Sequence, residues 1–162
     1  MDAGLTTRRV RVTSPAVLTC SKKFVDIPFA HRAPRHDGHC RLIHGHNWSF
    51  DITFAGKPDE NGFVIDFGKL AGLRSAFMEL FDHRLLINED DPLAEDIVEF
   101  LRLHGLDNVT LVADCSSEGL AKLVFDLATN HVASITDKRV RVTSVTVWES
   151  AINRATYEGT TL

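Results

Sequence analysis

The longest alternation of apolar and polar positions runs through the stretch after His44. Trp48, Phe50, Ile52 and Phe54 share one parity, and Asn47, Ser49, Asp51 and Thr53 take the other. A period of two over that length predicts a half-buried antiparallel strand at about 43–55. A preceding strand is predicted at about 16–30, where Val25, Ile27 and Phe29 share a parity that leads to His31. Pro28 inside this run marks an edge position or a bulge. The two strands form a long hairpin around a wide loop, 32–42, rich in Arg, His, Pro and Gly. Lys57 to Gly62 is a turn by composition, and Phe63-Val64-Ile65 is a short extended piece.

The period then changes. Asp66 is placed as an N-cap for a helix at about 67–81, with Phe67, Leu70, Phe77, Met78 and Phe81 among its apolar positions. A shorter helix is predicted at 93–103, ended by Gly105, and Val109 to Val112 is one more extended piece. The clearest helical spacing is Leu120, Leu123, Val124, Leu127, Ala128 and Ile135, which predicts a helix over 117–135 capped by Ser116. Two strands at about 138–150 and 153–160 close the chain. The order β-β-α-(α)-α-β-β is that of an α+β protein.

Composition narrows this picture only a little. A chain of 162 residues, 44% apolar and 25% charged, is expected to form one domain, 1–162, with a real core. No apolar run reaches membrane-spanning length, and the N-terminus lacks a secretory h-region. Three cysteines without framework spacing read as reduced thiols, so a cytoplasmic location is expected. The net charge of −4 gives no pull toward nucleic acid. Basic clusters at Arg8-Arg9-Arg11, Lys22-Lys23 and Arg32/Arg35/Arg41 are surface positions, the last two flanking the histidines described next.

His44-Gly45-His46 opens the second strand, so both imidazoles point to the same side as Trp48. Gly45 between them permits close backbone approach. A third nitrogen from His31 would make a three-histidine site with an open position, the arrangement of catalytic rather than structural zinc. His36 and His39, in the intervening loop, are rival third ligands. Cys40 is a small buried residue, a fourth ligand, or a thiolate favoured by positive neighbours and able to act as base or nucleophile. Asp82-His83 pairs a carboxylate with an imidazole it can orient. Glu149 shares parity with Val145 and Val147, and a carboxylate on an apolar face needs a partner, such as a ligand with two parallel N–H donors. Ser116-Ser117-Glu118 presents free backbone N–H groups and hydroxyls at a helix start. No H-E-x-x-H helix is present, which argues against a zinc hydrolase.

Taken in order, these segments resemble a known family. Cys40-Arg41-Leu42-Ile43-His44-Gly45-His46 resembles the C-x3-H-G-H signature of the 6-carboxy-tetrahydropterin synthase (QueD) branch of the 6-pyruvoyl-tetrahydropterin synthase family. Phe29-Ala30-His31-Arg32, Gly62 to Phe67, Phe81 to Leu86, Ser116-Ser117-Glu118 and Val147-Trp148-Glu149-Ser150 are similar to its other segments, in the same order. The resemblance implies a tunnelling fold: an antiparallel four-stranded sheet with helices on one face, assembled into a ring trimer or stacked hexamer with active sites at subunit interfaces. It implies Zn²⁺ on His31, His44 and His46, proton transfer by Cys40, Asp82 and His83, and a pterin held by Glu149 with Ser116, Ser117 and Glu118. The implied activity is a lyase reaction on 7,8-dihydroneopterin triphosphate that yields 6-carboxy-5,6,7,8-tetrahydropterin for 7-deazaguanine (queuosine) biosynthesis. A pyruvoyl-forming synthase and a non-catalytic zinc-stabilised pterin-binding protein are the alternatives. Residues 88–113 are longer than in compact members of the family. Phe29, Cys115 and Gly119 depart from its usual residues, a small side chain, Pro and Asn respectively.

Overall fold

The computed structural model describes residues 17–106 and 108–159. The Arg8-Arg9-Arg11 cluster, position 16 of the first predicted strand and position 160 of the last lie outside the described residues. β1 (Leu18–His31) and β2 (His44–Gly56) form the predicted hairpin. β5 (Val140–Trp148) and β6 (Arg154–Glu158) form the closing pair. Between them come α1 (Ala71–Phe81), β3 (Leu85–Asn88), α2 (Ala94–Leu103), β4 (Val109–Val112) and α3 (Ser117–Ile135). The fold class is α+β, but the sheet is larger than expected. It has six strands in the order β4-β3-β1-β2-β5-β6. It is also mixed, because β3 lies parallel to both β1 and β4. The expectation of four antiparallel strands left out β3 and did not place β4 in the sheet, although the helix at 93–103 and the extended piece Val109 to Val112 are both present. All four residues of β3 are buried, so it shows no alternation to read.

The bulge that Pro28 hinted at is present. The register of β1 against β2 shifts between Phe24 and Ile27, and Asp26 adopts a left-handed φ of 59°. One inserted residue reverses the side-chain parity. Phe24 is therefore buried while Val25 is 44% exposed, contrary to the parity assigned to Val25, and Ile27, Phe29 and His31 face inward. Along β2 the predicted alternation holds throughout, with Trp48, Phe50, Ile52 and Phe54 fully buried.

The helices bring the cover. Asp66 accepts a hydrogen bond from the Gly68 amide at 2.9 Å and opens a 3₁₀ turn, Phe67–Leu70, that runs into α1. Ser116 accepts from the Gly119 amide at 3.1 Å and caps α3. Phe77 and Phe81 of α1 meet Phe50, with ring centroids 5.3 Å apart in each pair. Phe29 stacks on Trp48 at 4.7 Å. Val64 and Ile65 bend rather than extend, and both enter the core. A smaller apolar cluster, Leu85, Ile87 and Ala94, seats the β3-α2-β4 unit. No helix among the described residues is long and apolar enough to cross a membrane.

Candidate metal centre

The hairpin geometry sets the first three donors. His31 is the last residue of β1 and pairs directly with His44, the first residue of β2. His46 follows two residues on, beside Trp48. Gly45 sits opposite Ala30, and a Cβ there would come within 3.2 Å of the Phe29 carbonyl oxygen, so the tight strand pairing at the site favours glycine. The His31 and His44 rings are 4.5 Å apart, and the His31 and His46 rings 5.5 Å. The end of β5 adds Glu149. One donor atom from each of His31, His44, His46 and Glu149 lies within 4.8 Å of the others.

The hydrogen bonds around the imidazoles turn particular nitrogens inward. His31 Nδ1 lies 2.9 Å from the Cys115 carbonyl oxygen, and His44 Nδ1 lies 2.8 Å from that of Leu42. Carbonyl oxygens only accept, so each Nδ1 donates and each Nε2 carries the lone pair, as a metal ligand requires. His31 Nε2 and His46 Nε2 are buried with no hydrogen-bond partner. The Glu149 carboxylate approaches them at 3.7 and 3.2 Å without completing a bond. Burial pushes the His31 imidazole below the ordinary histidine range. Its backbone bond to Cys115 opposes this, His44 and His46 reinforce it, and Glu149 opposes it more weakly. Buried, unpartnered nitrogens beside a carboxylate fit a divalent cation of borderline softness.

The other expected site residues are placed less tightly. His36 and His39 are exposed, and neither joins the cluster. His36 Nδ1 accepts from the Gly38 amide at 2.8 Å. Cys40 is half-buried in a 3₁₀ turn, His39–Arg41, and its sulfur is not among the clustered donors. Asp82 and His83 do touch: His83 Nδ1 and Asp82 Oδ1 are 2.8 Å apart. His83 holds a left-handed φ of 56°, fixed by its amide bond to the Pro28 carbonyl and by Asn108 donating to its own carbonyl. Strained backbone of this kind concentrates at functional sites. His83 and His46 both line an open recess of about 450 Å³. Ser116 Oγ is engaged by its cap, and Glu118 lines a separate, larger cavity of about 630 Å³ between β4 and α3. Arg32 and Arg35 are held by Asp91 and Asp90. Sequence reasoning missed Cys115 as the anchor of His31, since a main-chain acceptor leaves no residue-type signal.

Fold and cluster together define an α+β protein with a three-imidazole, one-carboxylate donor set at the end of its central hairpin. The family model for 6-pyruvoyl tetrahydropterin synthase matches residues 19–160, and the chain belongs to this family. Among curated relatives, the 6-carboxy-5,6,7,8-tetrahydropterin synthase of Rickettsia typhi is 35% identical over 77 residues, 46% of this chain and 55% of that protein. The chain thus spans about half the length of the first relatives it matches. The protein of the same name from Aquifex aeolicus is 26% identical over 123 residues, 74% of this chain and 75% of its own. Among solved structures, the uncharacterized protein WS1659 from Wolinella succinogenes superposes with a TM-score of 0.79 at 20% identity, covering 90% of this chain and 99% of that one. The 6-pyruvoyl tetrahydropterin synthase of Caenorhabditis elegans gives 0.62 at 24%, covering 90% and 97%. At these identities the structures speak for the fold.

Proposed function

We propose that this chain is a single catalytic domain, a Zn²⁺-dependent 6-carboxy-5,6,7,8-tetrahydropterin synthase acting on 7,8-dihydroneopterin triphosphate. The observation that carries the reading is the donor set of His31, His44, His46 and Glu149, with two buried Nε2 atoms left without partners. The names of the curated relatives support the branch. His31, His44 and His46 would hold the ion, and bound Zn²⁺ supplies Lewis acidity to the hydroxyls of the substrate side chain.

The remaining chemistry falls to the chain's own groups. Cys40 takes a proton from the side chain of the substrate. His83, oriented by Asp82, handles the second proton. Triphosphate leaves by elimination. Cleavage of the side chain with water then releases acetaldehyde and leaves the 6-carboxyl group, a product suited to 7-deazaguanine (queuosine) synthesis. Glu149 accepts the paired N–H donors of the pterin edge, which displace it from the imidazoles it now balances. The Ser116 N–H is taken by the Asp114 carboxylate at 2.9 Å, so the backbone N–H groups of Ser117 and Glu118 are left to support the ring.

The assembly we propose follows from open strand edges. β1 meets β3 only at Ala30 and His31, so most of its outer edge is free among the described residues. β6 ends the sheet at the other side. Two different open edges on one chain allow a head-to-tail contact, and the ring trimer or stacked hexamer is the closed form that the family resemblance implies for it. The resemblance implies active sites at subunit interfaces, where the exposed His83 of one copy would approach another copy's imidazoles.

Product analysis tests the function. Incubation of the purified protein with dihydroneopterin triphosphate should release triphosphate and acetaldehyde in equal amounts. Triphosphate without acetaldehyde would favour the pyruvoyl-forming alternative. Release of neither would leave the non-catalytic pterin-binding alternative.

A further inference from the structure

Only three polar or charged residues are buried among the described residues: His31, Asn88 and Asp91. They belong to one network. The Asn88 carbonyl oxygen Oδ1 accepts from the Cys115 amide at 2.8 Å, and the Cys115 carbonyl oxygen accepts from His31 Nδ1 at 2.9 Å. The Cys115 thiol donates to the Arg32 carbonyl oxygen at 3.0 Å. Arg32 Nε then faces Asp91 Oδ2 at 3.0 Å as an ion pair without hydrogen-bond geometry, and the Asp91 side chain is fully buried. The second Asp91 oxygen accepts from the Leu93 amide at the start of α2.

Asn88 ends β3 and Asp91 precedes α2, so both come from the unit that sequence reasoning left without a role. We infer that β3-α2-β4 serves the metal centre, with Asn88 and Asp91 as positioning residues that fix the His31 imidazole through Cys115 and Arg32. This rests on the reading of His31 as a metal ligand.

The physical argument has two parts. Burying polar groups is costly unless they are paired, and whole buried ion pairs are often replaceable by packed apolar residues without loss of stability, so two buried polar side chains whose contacts both lead to the third, an imidazole, point to a task beyond stability. The anchors of the two paired histidines also differ. His44 is held locally, by the carbonyl two residues before it. His31 is held by a residue 84 positions away. If Cys115 shifts, nothing else fixes the ring rotation or keeps the proton on Nδ1, and Nε2 no longer aims at the ion. Loss of such an outer partner generally costs 10–100-fold in metal affinity.

The test is Zn²⁺ affinity by competition with a chromogenic chelator, together with the visible absorption of the Co²⁺-loaded protein. Asn88→Leu removes the acceptor at similar volume, Asn88→Asp keeps it, and Glu99→Gly destabilises α2 at an exposed position outside the network. Asn88→Leu should bind Zn²⁺ about 10–100-fold more weakly and alter the Co²⁺ spectrum. Asn88→Asp should recover most of the affinity, and Glu99→Gly should bind as the unaltered protein does. Asp91→Asn keeps its shape and carries the same comparison if Asn88→Leu does not fold. Unchanged affinity and spectrum in Asn88→Leu, or an equal loss in Glu99→Gly, would overturn the inference alone. An unaltered protein that binds no Zn²⁺ would overturn the site reading and this inference with it.

Discussion

At the residue scale, each group in the centre is assigned by what its neighbours leave free. His44 spends Nδ1 on the Leu42 carbonyl, so only Nε2 remains for an ion. His44→Ala should therefore weaken Zn²⁺ binding by more than about 100-fold, beyond the cost of an outer-shell loss. Cys40 is not among the clustered donors. Cys40→Ala should leave Zn²⁺ affinity unchanged while lowering kcat by about 10²–10⁴, the usual contribution of a positioned proton-transfer group. Steady-state kinetics beside a metal titration checks both variants. The pH behaviour follows from burial. The His31 imidazole is held below the ordinary histidine range in the folded state, chiefly by burial, so the unfolded chain takes up its proton at the higher pH. The stability His31 contributes is complete above its unfolded pKa, about 6.5, and is lost as pH falls from there through the folded value. Thermal melts of the metal-free protein should show Tm falling across that window, and His31→Ala should flatten the fall.

At the element scale, legibility follows periodicity. β2 and α3 repeat one pattern over many residues. The predicted helix limits, 117–135, coincide with those of α3. β1 was harder, because a single extra residue near Asp26 reverses parity and composition shows only that Pro28 is awkward there. β3 was unreadable: four buried residues in a row carry neither period, and their partners lie far away in sequence. The three histidines were legible as a set because strand parity places them on one face, whereas Glu149 was read as a pterin anchor and its place beside them comes from the pairing of β5 with β2. Asn88 and Cys115 were not, since their link to His31 runs through main-chain atoms. The α3 cap offers a check at this scale. Ser116 Oγ is engaged by the Gly119 amide. Ser116→Ala should cost about 1 kcal/mol, seen as a drop of a few degrees in Tm, and Ser116→Asp should restore it.

At the scale of the whole molecule, the protein is a mixed sheet whose hairpin end gathers four groups that could hold a cation and whose outer edges are open among the described residues. Val17, Leu18 and Val25 stand exposed on or beside the free stretch of β1, as an edge awaiting a strand would present them. Light scattering should give the mass of three or six chains. Val25→Lys, at an exposed position of β1 without a β2 partner, should shift the population toward smaller species. The most direct measurement of all is X-ray absorption at the zinc edge on the loaded protein and on Glu149→Gln. The account predicts three imidazole nitrogens in both, with the remaining coordination filled by oxygen that exchanges with added substrate analogue. Two or fewer imidazoles, a sulfur donor, or a shell that no added ligand can enter would contradict it.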